Sequence, residues 1–444
     1  MGDVPATLAP PAQVLSIADK LEGAGYETWC VGGAVRDALL GHPHADWDLG
    51  TAATPEQVMS LFRRTVPVGV EFGTVGVLDR EGTMHEVTTF RRDVRTDGRH
   101  AEVEFGVSLD DDLARRDFTI NAIAYSPSRQ VIRDPFGGRV DLSRGVVRAV
   151  GVPVDRMRED RLRALRALRF AARFGFEIEP RTWAAIESSA SHLIQLSPER
   201  VKQELEKTME QVNEPARALR LWRDSGALAV LIPGLAKVDD VTLQSLNCLP
   251  RPAGPRRSAR RVNRLTALFA GLPERAARDA LRTLRFSNSD AEWISKLVGR
   301  WGLYGSDMER ALSAGHPIGD VSVRHWVSAI GRTHVSALLR VAAARWGAAR
   351  ALGGAAPPQH AVAALYRRAV RAAFHDALEL SDLAIGGDDL VRSGIPPGPA
   401  IGEILQRLLA VVLDDPSSNT HTQLLELAHQ FADGEEKLDM PPLS

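Results

Sequence analysis

The spacing of apolar residues changes character once along this chain, and that change constrains the fold more than any other feature. Between about residues 14 and 150, short apolar runs (26–31, 66–68, 74–78, 84–89) alternate with turn-rich connectors. This is the pattern of a small mixed α/β unit. Within it, Thr54-Pro55-Glu56 supplies an N-cap residue and a first-turn proline, which predicts a helix to about Arg63. Beyond Val154 the strand signals stop. Residues 155–174 carry apolar side chains at helical spacing, Ser197-Pro198-Glu199 restarts a helix in the same capping style, and helical patterns continue nearly to Phe431. Weak boundaries fall at 151–153, 250–257 and 353–358, and 433–444 reads as a frayed tail. The expected fold is therefore α+β: a mixed-sheet head followed by all-helical domains. At 444 residues the chain exceeds one ordinary core, since domains run to about 100–200 residues each.

Composition removes several function classes. With 55 basic and 56 acidic side chains the formal charge is −1, so bulk polycationic binding to nucleic acid is excluded and any such partner must be held by local patches. No apolar run approaches the ~20 residues that span a bilayer, and no membrane partner is expected. The first residues lack the features of a secretory signal, and only Cys30 and Cys248 could pair, which points to a reducing cytoplasm. Six lysines against forty-nine arginines is an unusual ratio. Arginine's planar fork matches phosphate bidentately.

Position shows where that arginine matters. In Cys30-Val31-Gly32-Gly33-Ala34-Val35-Arg36-Asp37 a strand ends in two glycines before a helix, a turn whose backbone N–H groups can approach a phosphate. Nine residues later, Asp46-Trp47-Asp48 places two carboxylates on one face if the segment is a strand. Adjacent carboxylates repel unless a cation lies between them, and open hard-oxygen sites suit Mg²⁺. Glu86, in the apparent strand 84–89, is a candidate third carboxylate. Arg115, Arg116, Asp117 and Asn121 stand just before a buried run, where charges need partners such as a triphosphate and a sugar hydroxyl. Residues 156–173 hold seven arginines and two acids; Asp160 and Arg163, at i and i+3, are expected on one helix face with Arg166, Arg169 and Arg173 extending the stripe. A second stretch, 251–285, holds ten arginines against Glu274 and Asp279, with apolar spacing that leaves an arginine face for RNA phosphates. His375-Asp376, the loop residues His42 and His44, and Cys30 are read as structural.

Taken together the series resembles the class II tRNA nucleotidyltransferase and bacterial poly(A) polymerase family of the polymerase-β superfamily. The matching elements are Gly32 to Asp37, Asp46-x-Asp48, Arg115-Arg116-Asp117 with Asn121, Asp134-Pro135-Phe136-Gly137-Gly138, Glu159-Asp160-x-x-Arg163 and Glu199-Arg200-x-x-x-Glu204, in the family's order. Residues 394–404 resemble the tail of its bacterial members. The resemblance implies a nucleotidyltransferase head (1–150), a neck with a base-recognition motif (151–212), an RNA-binding body (213–316) and a tRNA-binding tail (317–444). It further implies template-independent addition of CCA to the 3′ end and acceptor arm of tRNA from CTP and ATP. Asp46 and Asp48 would hold two metal ions; Gly32, Gly33 and Arg36 the triphosphate; Arg115, Arg116 and Asp117 phosphate and ribose. Asp160 and Arg163, with Arg166 beside them, would replace a template.

Hydrogen-bond arithmetic supports that last role. Cytosine and adenine both pair an exocyclic amino donor with a ring-nitrogen acceptor, which a carboxylate and a guanidinium complement. Uracil and guanine present the reverse, and each unsatisfied buried group costs about 1–3 kcal/mol. Residues 90–99 resemble the flexible loop that CC-only members lack, so A addition is expected. The alternatives are an A-adding enzyme, a poly(A) polymerase and, from another class, an inactive RNA-binding protein.

Overall fold

A computed structural model describes residues 8–42, 46–96, 101–249 and 257–434. They divide into two compact units: one from residues up to Val238 together with Thr283–Arg285, the other from Asp239–Arg282 and the residues from Phe286 onwards.

The first unit contains the predicted sheet. Its strands are β1 (Thr28–Val31), β2 (Asp48–Thr51), β3 (Thr65–Gly69), β4 (Thr74–Leu78) and β5 (Met84–Thr89). A separate antiparallel ribbon, β6 (Arg91–Thr96) with β7 (Ala101–Phe105), follows, and β8 (Ala124–Ser126) and β9 (Val131–Arg133) return to the main sheet. The order is β3-β4-β5-β2-β1-β8-β9, with β2 and β5 parallel and every other neighbour antiparallel. Strand β1 is buried along its whole length near the middle, whereas β3 at the edge is mostly exposed. Helix α1 (Ala12–Gly23) buries Val14, Ile17, Ala18 and Leu21, an i, i+3, i+4, i+7 stripe. Helix α2 (Gly33–Leu39) follows the double glycine. Helix α3 (Pro55–Leu61) begins at the predicted signal, where Thr54 and Gln57 form a reciprocal capping box.

Helix α4 (Leu109–Ala114) and helix α5 (Gly138–Arg144) bracket the segment that carries Arg115 to Asn121. The Asp134-to-Gly138 turn is a packing device. The Asp134 carboxylate accepts the Gly138 and Arg139 amides at 2.7 and 2.9 Å. A Cβ on Gly138 would lie 2.2 Å from the Thr119 carbonyl oxygen, so only glycine lets α5 press on the Thr119–Asn121 turn.

Beyond residue 150 come α6 (Pro153–Glu159), α7 (Leu162–Phe174), α8 (Pro180–Ser189) and α9 (Pro198–Gln211). Two expectations change here. The helical stretch 155–174 is two helices, because Asp160 is extended (φ −144°, ψ 106°) and its carboxylate accepts the Leu162 amide at 3.0 Å, starting α7 afresh. The strand signals also do not end at 154: β10 (Val146–Val147) pairs in parallel with β11 (Glu177–Ile178).

The described residues of the second unit are helical. Its longest helix is Asn288–Ser313, and two apolar clusters hold it together. One gathers Trp326, Val327, Leu338 and Trp346; the other gathers Leu390, Leu408, Leu424 and Phe431. No helix among the described residues is long and apolar enough to cross a membrane.

Candidate functional site

A cleft of about 560 Å³ in the first unit collects the predicted residues. Gly32, Gly33, Arg36, Asp48, Glu86, Arg115, Arg116, Asp117, Asn121, Asp160, Arg163 and Arg166 all line it. So do Arg91, Arg169, Arg173 and Lys207, giving nine cationic side chains against four carboxylates. That imbalance suits a polyanion.

The sheet supplies one wall. Gly32 lies at the end of β1 with φ 76°, and a Cβ there would meet Arg116 Nη1 at 3.0 Å, so a side chain would be both strained and intrusive. Asp48 opens β2, and the parallel register that sets Leu49 opposite Val87 sets Asp48 beside Glu86 on the next strand. Both carboxylates face the cleft. Asp46 differs from expectation: β2 starts at Asp48, and Asp46 is exposed, separated from Asp48 by the buried Trp47, and is not among the lining residues. Strand β2 itself does not extend back to it. Among the described residues no three acidic, His or Cys side chains gather as a metal-ligand group.

Asp117 organises the opposite wall. Its Oδ1 accepts the Phe118 amide and Asn121 Nδ2, each at 2.9 Å, and its Oδ2 accepts Arg166 Nε at 2.7 Å. Burial pushes this carboxyl up, but Arg166, Asn121 and Arg163 outweigh burial and hold it at about 2. Arg166 Nη2 also lies 2.7 Å from Oδ2, so the guanidinium grips this carboxylate with two nitrogens. Asn121 in turn accepts Arg36 Nη1 at 2.5 Å. Arg36 is buried, paired with Asp37 at 2.6 Å and lodged over the Phe170 and Phe174 rings at 5.1 and 4.7 Å. Burial lowers its pKa against the pull of Asp37.

Arg115 and Arg116 share Asp112, at 2.8 and 3.0 Å, which fixes both guanidinium groups, that of Arg116 beside Gly32. Arg169 and Glu204 form a buried pair at 2.6 Å, and Lys207 joins the same carboxylate at 3.4 Å.

Asp160 and Arg163 both reach the cleft but do not share a helix face, since Asp160 sits at the break between α6 and α7. Asp160 accepts the Leu162 amide and Arg200 Nη2, the latter at 2.8 Å. Arg163 donates to Glu159 at 2.8 Å, to the Arg115 carbonyl at 2.8 Å and to the Arg156 carbonyl at 3.4 Å. Of its five N–H groups two remain unassigned among the described residues, and Asp160 keeps about two lone pairs.

Sequence reasoning missed Thr74, Thr88, Lys207 and Gln211. Lys207 and Gln211 stand at i and i+4 on α9, a helical signal, but nothing local says which structure that face meets. In 251–285, residues 250–256 lie outside the described residues, and the arginine face is not uniform. Arg264 is fully buried, Arg261 pairs with Asp290 at 3.3 Å, and Arg278 pairs with Glu274 and Glu292. Of the 90–99 loop, 97–99 likewise lie outside the described residues; Arg91–Thr96 is strand rather than loop. His375 ends a helix, Cys30 is buried with its thiol pushed up to about 12 by burial and Asp48, and His42 is exposed; His44 lies outside the described residues.

Three families match successive parts of the chain: the Poly A polymerase head domain over residues 28–148, the probable RNA and SrmB binding site of polymerase A over 175–238, and a putative tRNA nucleotidyltransferase domain 2 over 370–428. The CCA-adding enzyme of Limosilactobacillus fermentum is 33% identical over 433 residues, covering 96% of this chain and 98% of that protein. That of Geobacillus stearothermophilus is 45% identical over 234 residues, 52% of this chain and 56% of that one. Among solved structures, the Bacillus stearothermophilus CCA-adding enzyme in complex with CTP superposes with a TM-score of 0.73 at 32% identity, covering 95% of this chain and 98% of that one.

Proposed function

This chain belongs to the CCA-adding enzyme family of tRNA nucleotidyltransferases, and we propose that it builds or repairs the 3′-terminal CCA of tRNA from CTP and ATP in the first-unit cleft. The observation that carries this reading is the convergence of Asp48, Asp117, Asp160, Arg163 and Arg166 on one cation-rich cleft. The RNA 3′-hydroxyl attacks the α-phosphorus of the bound nucleotide, a new phosphodiester forms, and pyrophosphate leaves.

The family uses divalent metal. Asp48 with Glu86 across the β2–β5 pair, and Asp46 preceding them, offer hard carboxylate oxygens that fit Mg²⁺. When bound, a pair of such ions lowers the pKa of the attacking hydroxyl and neutralises the departing pyrophosphate. This chain's own residues do the rest. Gly32 and Gly33 leave room for the triphosphate, Arg115 and Arg116 are held by Asp112 to meet its charge, and Arg36 fixes the floor through Asn121. Asp117, lining the cleft between Asn121 and Arg166, takes the ribose hydroxyl. Asp160 and Arg163 keep the acceptor and donor that cytosine and adenine need, and Arg166 holds Asp117 in place.

The domain assignment that accompanies this reading is head 1–150, neck 151–212, body 213–316 and tail 317–444, acting in the cytoplasm. The test supplies tRNA lacking one, two or three terminal nucleotides with labelled CTP or ATP and Mg²⁺. C addition to the shorter ends and A addition to the CC end are expected. A added only to the CC end would make this an A-adding enzyme, and no incorporation into any substrate would overturn the enzymatic reading.

A further inference from the structure

The second unit carries a cleft that the reaction above does not use. It measures about 580 Å³ and is lined by Arg261, Asn263, Asp290, Trp293, Ser336 and Arg340 among others. Its walls come from helices Arg257–Phe269, Asn288–Ser313 and Val335–Ala351.

Three features fix its chemistry. Trp293 is half-buried and stacked on the His334 ring, centroids 4.1 Å apart at 24°, so the two rings form a stiff platform at the cleft edge. Burial, Lys296 and Arg300 hold His334 below its ordinary pKa, which keeps that ring neutral at neutral pH and reports positive charge around it. Arg340 is exposed, and its guanidinium is oriented by a neutral partner: the Tyr366 hydroxyl accepts its Nε and Nη2 at 3.3 and 3.1 Å. Tyr366 is itself tied to Ser336 at 3.0 Å. Among the described residues no carboxylate lies within ion-pair distance of Arg340, whereas Arg261 across the cleft is matched by Asp290. A positioned, uncompensated guanidinium beside an aromatic platform recognises a phosphate next to a flat base.

We propose that this cleft binds one unpaired nucleotide of the RNA substrate, its base against Trp293 and its phosphate on Arg340, with Asn263 and Ser336 placed to read polar base edges. The proposal rests on the tRNA reading above. RNA is favoured over a free nucleotide because a single oriented arginine matches one backbone phosphodiester, and nothing comparable to the nine-cation catalytic cleft awaits a triphosphate.

The test uses the full chain and tRNA lacking CCA, with affinity measured by fluorescence anisotropy across a salt series and turnover at saturating tRNA. For Arg340→Ala the expected result is weaker tRNA binding and a slope of log affinity against log salt reduced by about one. Arg340→Lys should recover the slope. For Trp293→Leu affinity should fall roughly five- to a hundredfold with the salt slope unchanged, and Trp293→Phe should restore most of it. Turnover at saturating tRNA and KM for CTP and ATP should stay at wild-type values. Unchanged tRNA affinity in Arg340→Ala, a surface change that does not threaten folding, would overturn the proposal. So would a raised nucleotide KM with unchanged tRNA affinity, which would hand the cleft to a free nucleotide. If the wild-type protein bound no tRNA, the tRNA reading itself would fall, an outcome distinct from the other two.

Discussion

The two walls of the first-unit cleft are built differently. The sheet wall sets Asp48 beside Glu86 on neighbouring parallel strands, an acidic pair that suits a cation, next to Gly32, whose positive φ and closeness to Arg116 disfavour any side chain. In the helical wall each charge is already answered: Arg166 by Asp117, Arg163 by Glu159, Asp160 by Arg200, Arg169 by Glu204. A wall with two neighbouring carboxylates is suited to holding cations where a phosphate bond is made. A wall of pre-paired groups with a few donors and acceptors to spare is suited to holding and choosing a nucleotide.

Breaking the sheet wall should have the largest effect. Asp48→Ala should lower nucleotide incorporation by about three orders of magnitude or more while tRNA affinity stays within about twofold, as measured by single-turnover kinetics and anisotropy. Comparable loss of affinity would place Asp48 in binding rather than chemistry. In the helical wall, Asp117→Asn leaves Arg166 without its anion and should cost about 2–4 kcal/mol of stability, read by denaturant unfolding, with a raised KM for CTP. Asp117 also sets a pH dependence. Its carboxyl is held at about 2, below its ordinary value, so its contribution, about 2 kcal/mol, is complete above the unfolded-state pKa near 4 and is lost as pH falls through that window. Wild type should therefore lose stability between about pH 4 and 2 more steeply than Asp117→Asn. The smallest effect belongs to Gly33, whose added Cβ would sit 3.5 Å from Arg36 Nη2, ordinary contact distance, so Gly33→Ala should shift stability by less than about 1 kcal/mol.

The same contrast explains what was legible in the sequence. Gly32, Asp48 and the Arg115–Asn121 group lie in short local signatures whose chemistry needs fixed spacing, and the structure brings them together. The capping signal at Thr54 located α3 because the Thr54–Gln57 hydrogen bonds are local. The break at Asp160 was not legible, because an Asp within a run of helical spacing reads as one more helix residue until its carboxylate is seen capping Leu162. Nor was the exposure of Asp46, which lies two residues before the first residue of β2. Lys207 and Gln211 reach the cleft through the packing of α9 on α7, a contact that no local pattern encodes.

The central claim is that protein side chains choose the base. Its most direct measurement is the rate at which wild type and Arg163→Ala add each of the four nucleotides to tRNA lacking CCA. Wild type should accept C and A and reject U and G by several orders of magnitude, whereas Arg163→Ala should keep measurable transfer and lose roughly ten- to a hundredfold of that discrimination. Discrimination unchanged in Arg163→Ala would contradict the account.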